Sequence, residues 1–208
     1  MCMEMTVAGA AQIAGVAPRT VQRALKSGHL GMARFIGRQV STDDLAVQAW
    51  VRTTFRGRKW SPRIRDAAIS MLSNERDVSI SPSERSRLRS ALREMSAHQI
   101  ASSSWPGTWA RYRMLGQVDV SRIGPSVMDL TELGIIPGAS WMHFAQVDSL
   151  DQFESTQPVI ADPDGDLVVI ERQRDDRWAR QLIDVYVLGD ARESAAAARS
   201  IEELARAL

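Results

Sequence analysis

The stretch Thr6-Val7-Ala8-Gly9-Ala10-Ala11-Gln12-Ile13-Ala14-Gly15-Val16-Ala17-Pro18-Arg19-Thr20-Val21-Gln22-Arg23 decides how the first quarter of this chain folds. The Thr6 hydroxyl can cap a helix, and Val7 to Ala14 is alanine-rich and helix-permissive. Gly15 stops that helix, because it alone enters the left-handed backbone region freely. Ala17-Pro18 starts a second helix, since proline suits the first turn, where its missing N–H costs nothing. The second helix is expected over Arg19 to about Ser27, with Gly28 placed to end it. Ala10, Ala11 and Ala14 are small enough for two short helices to cross closely, and Val21 and Leu25 are the expected inner residues of the second.

Working outward, His29 to Val40 reads as a short hairpin, in which Met32, Arg34 and Ile36 alternate and Gly37-Arg38 forms the tip. Ser41-Thr42-Asp43-Asp44 then opens a third helix, with Ser41 and Asp44 at capping-box spacing and Leu45 and Trp50 facing inward. The outer side of the second helix carries Arg19, Thr20, Gln22, Arg23 and Lys26. Those side chains reach base edges and phosphates: arginine pairs with guanine, glutamine with adenine, and lysine neutralises phosphate. Double-stranded DNA is therefore the expected partner.

The run from Thr6 to Arg23, then Ser27-Gly28-His29-Leu30, Gly37-Arg38-Gln39-Val40 and Asp44-Leu45, resembles the excisionase and MerR-like winged helix-turn-helix domains. The resemblance covers about residues 5–50. It implies that the second helix reads the major groove and that the hairpin is a wing on the DNA backbone or minor groove, with Arg34 and Arg38 as wing contacts. Gly9 departs from the family, which usually carries a larger residue there.

Beyond this domain, Ser61-Pro62 starts a helix to Ser73, and Ser81-Pro82 starts another over Ser83 to about His98, with Leu88, Leu92 and Met95 at helical spacing. Serine-rich Gln99 to Thr108 reads as a loop or domain junction. Strands are expected at Gln117–Val120 and Trp141–Val147, and a helix at Pro125–Leu133. Val159-Ile160 and Leu167–Ile170 flank Asp162-Pro163-Asp164-Gly165, a β-hairpin signal. Trp178–Leu188 is a long apolar segment and fits strand or helix. Arg192–Leu208 reads as a helix with Ala195, Ala198, Ile201, Ala205 and Leu208 on one stripe.

The expected fold class is α+β: a winged helix-turn-helix at 1–52, a helical connector at 53–114 and a small, acidic, partner-binding α/β domain at 115–208. Hydrophobic content of 44% and charged content of 25% are those of a folded globular chain. No apolar run approaches the roughly 20 residues of a membrane span. A single cysteine, Cys2, excludes an internal disulfide framework, and a cytoplasmic setting is expected.

The net charge of +1 hides a division. Residues 1–60 hold nine basic and three acidic groups, residues 61–114 nine and five, and residues 115–208 eight and seventeen. The basic end suits phosphates and the acidic end is repelled by them. His29, His98 and His143 lack metal-ligand spacing, Asp162, Asp164 and Asp166 suit a turn better than a calcium loop, and no catalytic cluster stands out, so neither enzyme activity nor a cofactor is expected.

The segments Val159–Leu167 and Asp184–Arg192 are similar to antitoxin-like proteins of actinobacteria encoded beside PIN-type ribonuclease toxins. That likeness implies an antitoxin that represses its own operon as a homodimer and holds a toxin through its C-terminal half, the terminal helix being one means. The other readings are a ligand-sensing repressor and a phage-type excisionase or architectural DNA-binding protein.

Overall fold

The computed structural model describes residues 5–27, 30, 33–36, 39–42, 44–54, 59–76, 78–105, 108–118, 124–125, 143–173 and 175–208. The protein is α+β and divides into two compact units. One comprises Met1–Val51, Gly107–Val127 and Gly138–Arg174; the other comprises Arg52–Pro106, Met128–Pro137 and Asp175–Leu208.

The first unit opens with β1 (Met5–Thr6), α1 (Val7–Ala14), α2 (Pro18–Lys26), β2 (Ala33–Ile36), β3 (Gln39–Thr42) and α3 (Asp44–Thr53), whose last two residues belong to the second unit. Thr6 caps α1 by accepting from Gly9 N at 3.2 Å. Gly15 ends it at φ 63°, and its N–H and that of Val16 bond back to Gln12 O and Ala11 O. The three strands pair antiparallel in the order β1-β3-β2. Met5, Ala10, Ala11, Val21, Ala24, Leu30 and Val47 form the core beneath them, with Leu25 and Trp50 half-buried against it.

Ser41 and Thr42 lie in β3, opposite Thr6 and Met5 of β1, so Ser41 is not the cap of α3 that its spacing predicts. Two ladders engage its backbone, and α3 begins at Asp44 instead.

Glycine at position 9 sits inside the first turn of α1. A Cβ there would lie 3.7 Å from Met5 Cβ and Thr6 Oγ1, in ordinary contact. We expect Gly9→Ala to raise stability by about 0.5 kcal/mol, because glycine loses more backbone entropy in a helix than alanine does. A thermal melt that moves down would show that this site is tighter than its geometry.

The same unit holds a five-stranded sheet of β4 (Trp109–Met114), β5 (Gly124–Pro125), β6 (His143–Val147), β7 (Val159–Ala161) and β8 (Leu167–Glu171), in the order β5-β6-β8-β4-β7. Helix α7 (Leu150–Thr156) follows β6, and β6 and β8 are parallel. The core is Tyr112, Val118, Ala145, Phe153, Leu167 and Val169, with the Tyr112 and Phe153 rings edge-to-face at 5.4 Å.

The structure corrects three expectations here. Residues 109–114, assigned to the connector, form an inner strand of this sheet, paired on both sides. Gln117 and Val118 are not strand, the β4 strand having ended at Met114. Strands β7 and β8 do not form a hairpin. They run in one direction on opposite sides of β4, and Tyr112 pairs with both Ala161 and Leu167. Residues 162–166 carry the chain across β4. The expected helix at Pro125–Leu133 and strand residues Asp119, Val120, Trp141 and Met142 fall outside the described residues, except that Pro125 belongs to β5.

The second unit is helical among its described residues: α4 (Pro62–Leu72), α5 (Pro82–Glu94), α6 (Ala97–Ser104), α8 (Trp178–Leu188) and α9 (Ala191–Ala207). The residues expected as a serine-rich loop largely form α6. Two of its hydroxyls bond within the helix, Ser102 donating to Gln99 O (3.1 Å) and Ser104 to Ile100 O (2.6 Å), and the small size of serine permits burial.

Helix α8 is buried almost all round. It packs against α4, α6 and α9, and α5 packs on α9, so 53–114 and 115–208 are not separate domains. The buried residues of α9 are Ser194, Ala196, Ala197, Ile201 and Ala205, a stripe rotated from the expected one, which leaves Ala195 exposed. No helix among the described residues is long and apolar enough to cross a membrane.

Candidate nucleic-acid interface

Helix α2 is positioned from both ends. Gly15 and Val16 turn the chain, and Ala17 takes the extended conformation (φ −67°, ψ 145°) that a residue before proline requires. Val21 and Ala24 then face the core, against Ala10 and Ala11 of α1. This fixes the rotation of the helix. Arg19, Gln22, Arg23 and Lys26 (spaced i, i+3, i+4 and i+7) all emerge exposed on the opposite face, and Thr20 is half-buried at its margin. Val21 is buried and Leu25 half-buried against the same core, as expected, and Ala24 joins them on the inner side.

No acidic residue lies on α2, while Arg23 and Lys26 occupy its last turn, where cations favour the helix dipole. Ala17 has no side-chain oxygen to cap the first turn, Pro18 carries no N–H, and the Thr20 N–H is taken by the Ala17 carbonyl at 2.8 Å.

The register of β2 with β3 pairs Arg34 with Ser41 and Ile36 with Gln39. Arg34 is thus on a strand of the hairpin. Arg38 and the tip lie outside the described residues.

No protein-family model, curated protein or solved structure matches this chain.

Other charged groups have intramolecular tasks. Asp162 accepts from Asp164 N (2.9 Å) and pairs with Arg113 (2.7 Å), and Asp166 accepts from Met114 N (3.4 Å). These carboxylates hold the crossing over β4, and no metal-binding group of His, Cys, Asp and Glu exists among the described residues.

In the second unit, Asp175 accepts from Arg177 (2.8 Å) and Arg180 (3.1 Å), and Arg177 reaches Asp66 (2.6 Å) and Ser70 Oγ (2.9 Å) on α4. Arg180 also donates to Ser104 O (3.1 Å), and the Trp105 indole donates to buried Asp184 (3.1 Å). Arg52 donates to the Val187 and Gly189 carbonyls at the end of α8. This network was not legible in sequence, because its members are up to 137 residues apart. It ties α8 to α4, to α6 and to Arg52.

Proposed function

We propose that this protein binds double-stranded DNA in a sequence-dependent manner and regulates transcription. Helix α2 enters the major groove, and the β2–β3 hairpin serves as a wing. The exposed face of Arg19, Gln22, Arg23 and Lys26, held opposite buried Val21 and Ala24, carries this reading. The order helix, turn, helix, two paired strands and helix supports this reading.

Arg19, Thr20, Gln22 and Arg23 read bases, and Lys26, Arg34 and Arg38 neutralise phosphates. As a homodimer the protein would span half-sites about 34 Å apart, one turn of the duplex. A toxin held by residues 115–208 would need a surface other than the apolar stripe of α9, which is buried within its own unit.

The experiment is selection of bound sites from a randomised duplex library, followed by binding of the recovered site to the unchanged protein and to Arg19→Ala and Arg23→Ala. We expect one enriched motif, and a loss of about 1–3 kcal/mol for each lost base contact with relaxed preference at that position. A library that returns no motif, or substitutions that leave affinity and preference unchanged, overturns the assignment.

A further inference from the structure

We infer that α5 forms a second DNA-contacting surface, one that grips the phosphate backbone without reading sequence; the inference rests on the DNA-binding function proposed above. Arg85, Arg89 and Arg93 follow one another at intervals of four, which places them in a single row along the helix. Leu88 and Leu92 are buried, so the row flanks the buried side, and Ser86 and Ser90 run beside it on the exposed side.

Arg85 is half-buried and anchored, donating to the Val78 carbonyl at 3.3 Å. Arg89 and Arg93 are exposed, and neither pairs with a carboxylate among the described residues. The carboxylates of α5 do not neutralise the row. Glu84 is occupied by the Ser81 cap and by Arg63. Glu94 lies off the row, at the last residue of the helix.

An ordinary solvated helix face alternates its charges, because like charges four apart cost helix stability and opposite charges add to it. This helix instead carries two successive like-charge steps and borders them with hydroxyl donors. Arginine and serine together are the donor set that phosphate oxygens accept from. The segment Arg52–Pro106, to which α5 belongs, holds eleven basic and five acidic residues, so its field favours a polyanion. Duplex DNA is the polyanion the chain is already proposed to hold. Because the row presents charge rather than a bidentate base-reading set on a groove-entering helix, its contribution is independent of sequence.

The test compares the full chain with the double variant Arg89→Gln, Arg93→Gln. Affinity is measured by fluorescence anisotropy for two labelled duplexes of about 30 base pairs, the selected site and a random sequence, over a salt series. Loss of two phosphate contacts lowers the magnitude of the slope of log affinity against log salt by about 1.8. The change should be the same on both duplexes, with the ratio of the two affinities preserved and the melting temperature not lowered. An unchanged slope with intact binding overturns this surface alone. A change confined to the selected site assigns the row to sequence reading and overturns the backbone role. If the unaltered chain binds neither duplex at any salt concentration, the DNA-binding function itself falls, and this inference with it.

Discussion

Replacing Gly165 with alanine is expected to abolish the five-stranded sheet. The chain crosses β4 at residues 162–166, and there Gly165 lies flat against the backbone of that strand. A Cβ would overlap the Tyr112 carbonyl carbon and oxygen and approach Arg113 N to 2.6 Å. These are backbone atoms of a strand hydrogen-bonded to β7 on one side and β8 on the other, so nothing there can swing aside as a side chain does. The crossing is also held at 2.6 Å by Arg111 Nε donating to the Gly165 carbonyl.

To admit a methyl group the loop must lift, which separates β7 or β8 from β4 and uncovers Tyr112, buried at 2% exposure, and Leu167 at 4%. We expect a loss of about 4 kcal/mol or more, comparable to the whole stability of many domains. Hydrogen exchange at the β4 and β8 amides checks it: protection should vanish there and persist in α8 and α9. Gly116→Ala is the control, because its Cβ would meet only Pro158, at 3.8 Å, and should shift stability by no more than about 0.5 kcal/mol. Retained protection in β8 of the Gly165 variant would mean that the strand crossing is not as described.

The second large effect belongs to Arg177. Its guanidinium bonds Asp175, Asp66 and Ser70 and lies 3.8 Å from Glu75, which ties the start of α8 to α4 and the turn beyond it. Burial alone would push the Asp175 carboxyl up, but hydrogen bonds and charge from Arg177 and Arg180 outweigh it and hold it at about 2, against an ordinary 3.8. A carboxyl whose folded-state value is depressed stabilises the fold above its unfolded value and loses that contribution as pH falls toward the folded one. For Asp175 the window runs from about 4 down to about 2, and the contribution at neutral pH is about 2 kcal/mol.

Arg177→Ala removes the larger share of that compensation while Asp175 stays mostly buried beside Arg180, so we expect a loss of about 3 kcal/mol at pH 7. The exposed Asp66 end of the network adds little of this. Urea unfolding read from the helical signal at pH 7 and pH 3 checks both parts. The variant should be weaker at pH 7, and the gap should narrow at pH 3. Equal acid sensitivity in the two proteins would take Asp175 out of the account.

Much of the first fifty residues was legible in the sequence, because its signals are local. Thr6 capping α1, Gly15 ending it and Pro18 opening α2 each act within one turn of the chain, and the structure places them so. The outward set on α2 followed from the same periodicity. Where local signals competed with long-range pairing they failed. Ser41 has capping spacing, but β1, far earlier in the chain, draws it into a strand. Asp162-Pro163-Asp164-Gly165 has turn chemistry and does turn, with Gly165 N bonded to Asp162 O at 3.0 Å. It joins strands that never touch, because β4 lies between them.

Sequence by itself therefore determined where the N-terminal helices start and stop, which face of α2 is polar, and that the class is α+β. Caps, helical periods and glycine or proline turns need only neighbouring residues to take effect. Tertiary structure alone decided that Trp109–Met114 is an inner strand of a sheet, that the serines of α6 are buried, that α8 is a helix, and that α8 and α9 share a unit with α4 to α6. An apolar run such as Trp178–Leu188 gains by burial in either conformation. What selected the helix is the set of partners waiting around it: Trp105 for Asp184, the Ser104 carbonyl for Arg180, and Arg52 for the last carbonyls of α8. Those partners come from segments 76, 79 and 135 residues away, a distance over which no local pattern reports.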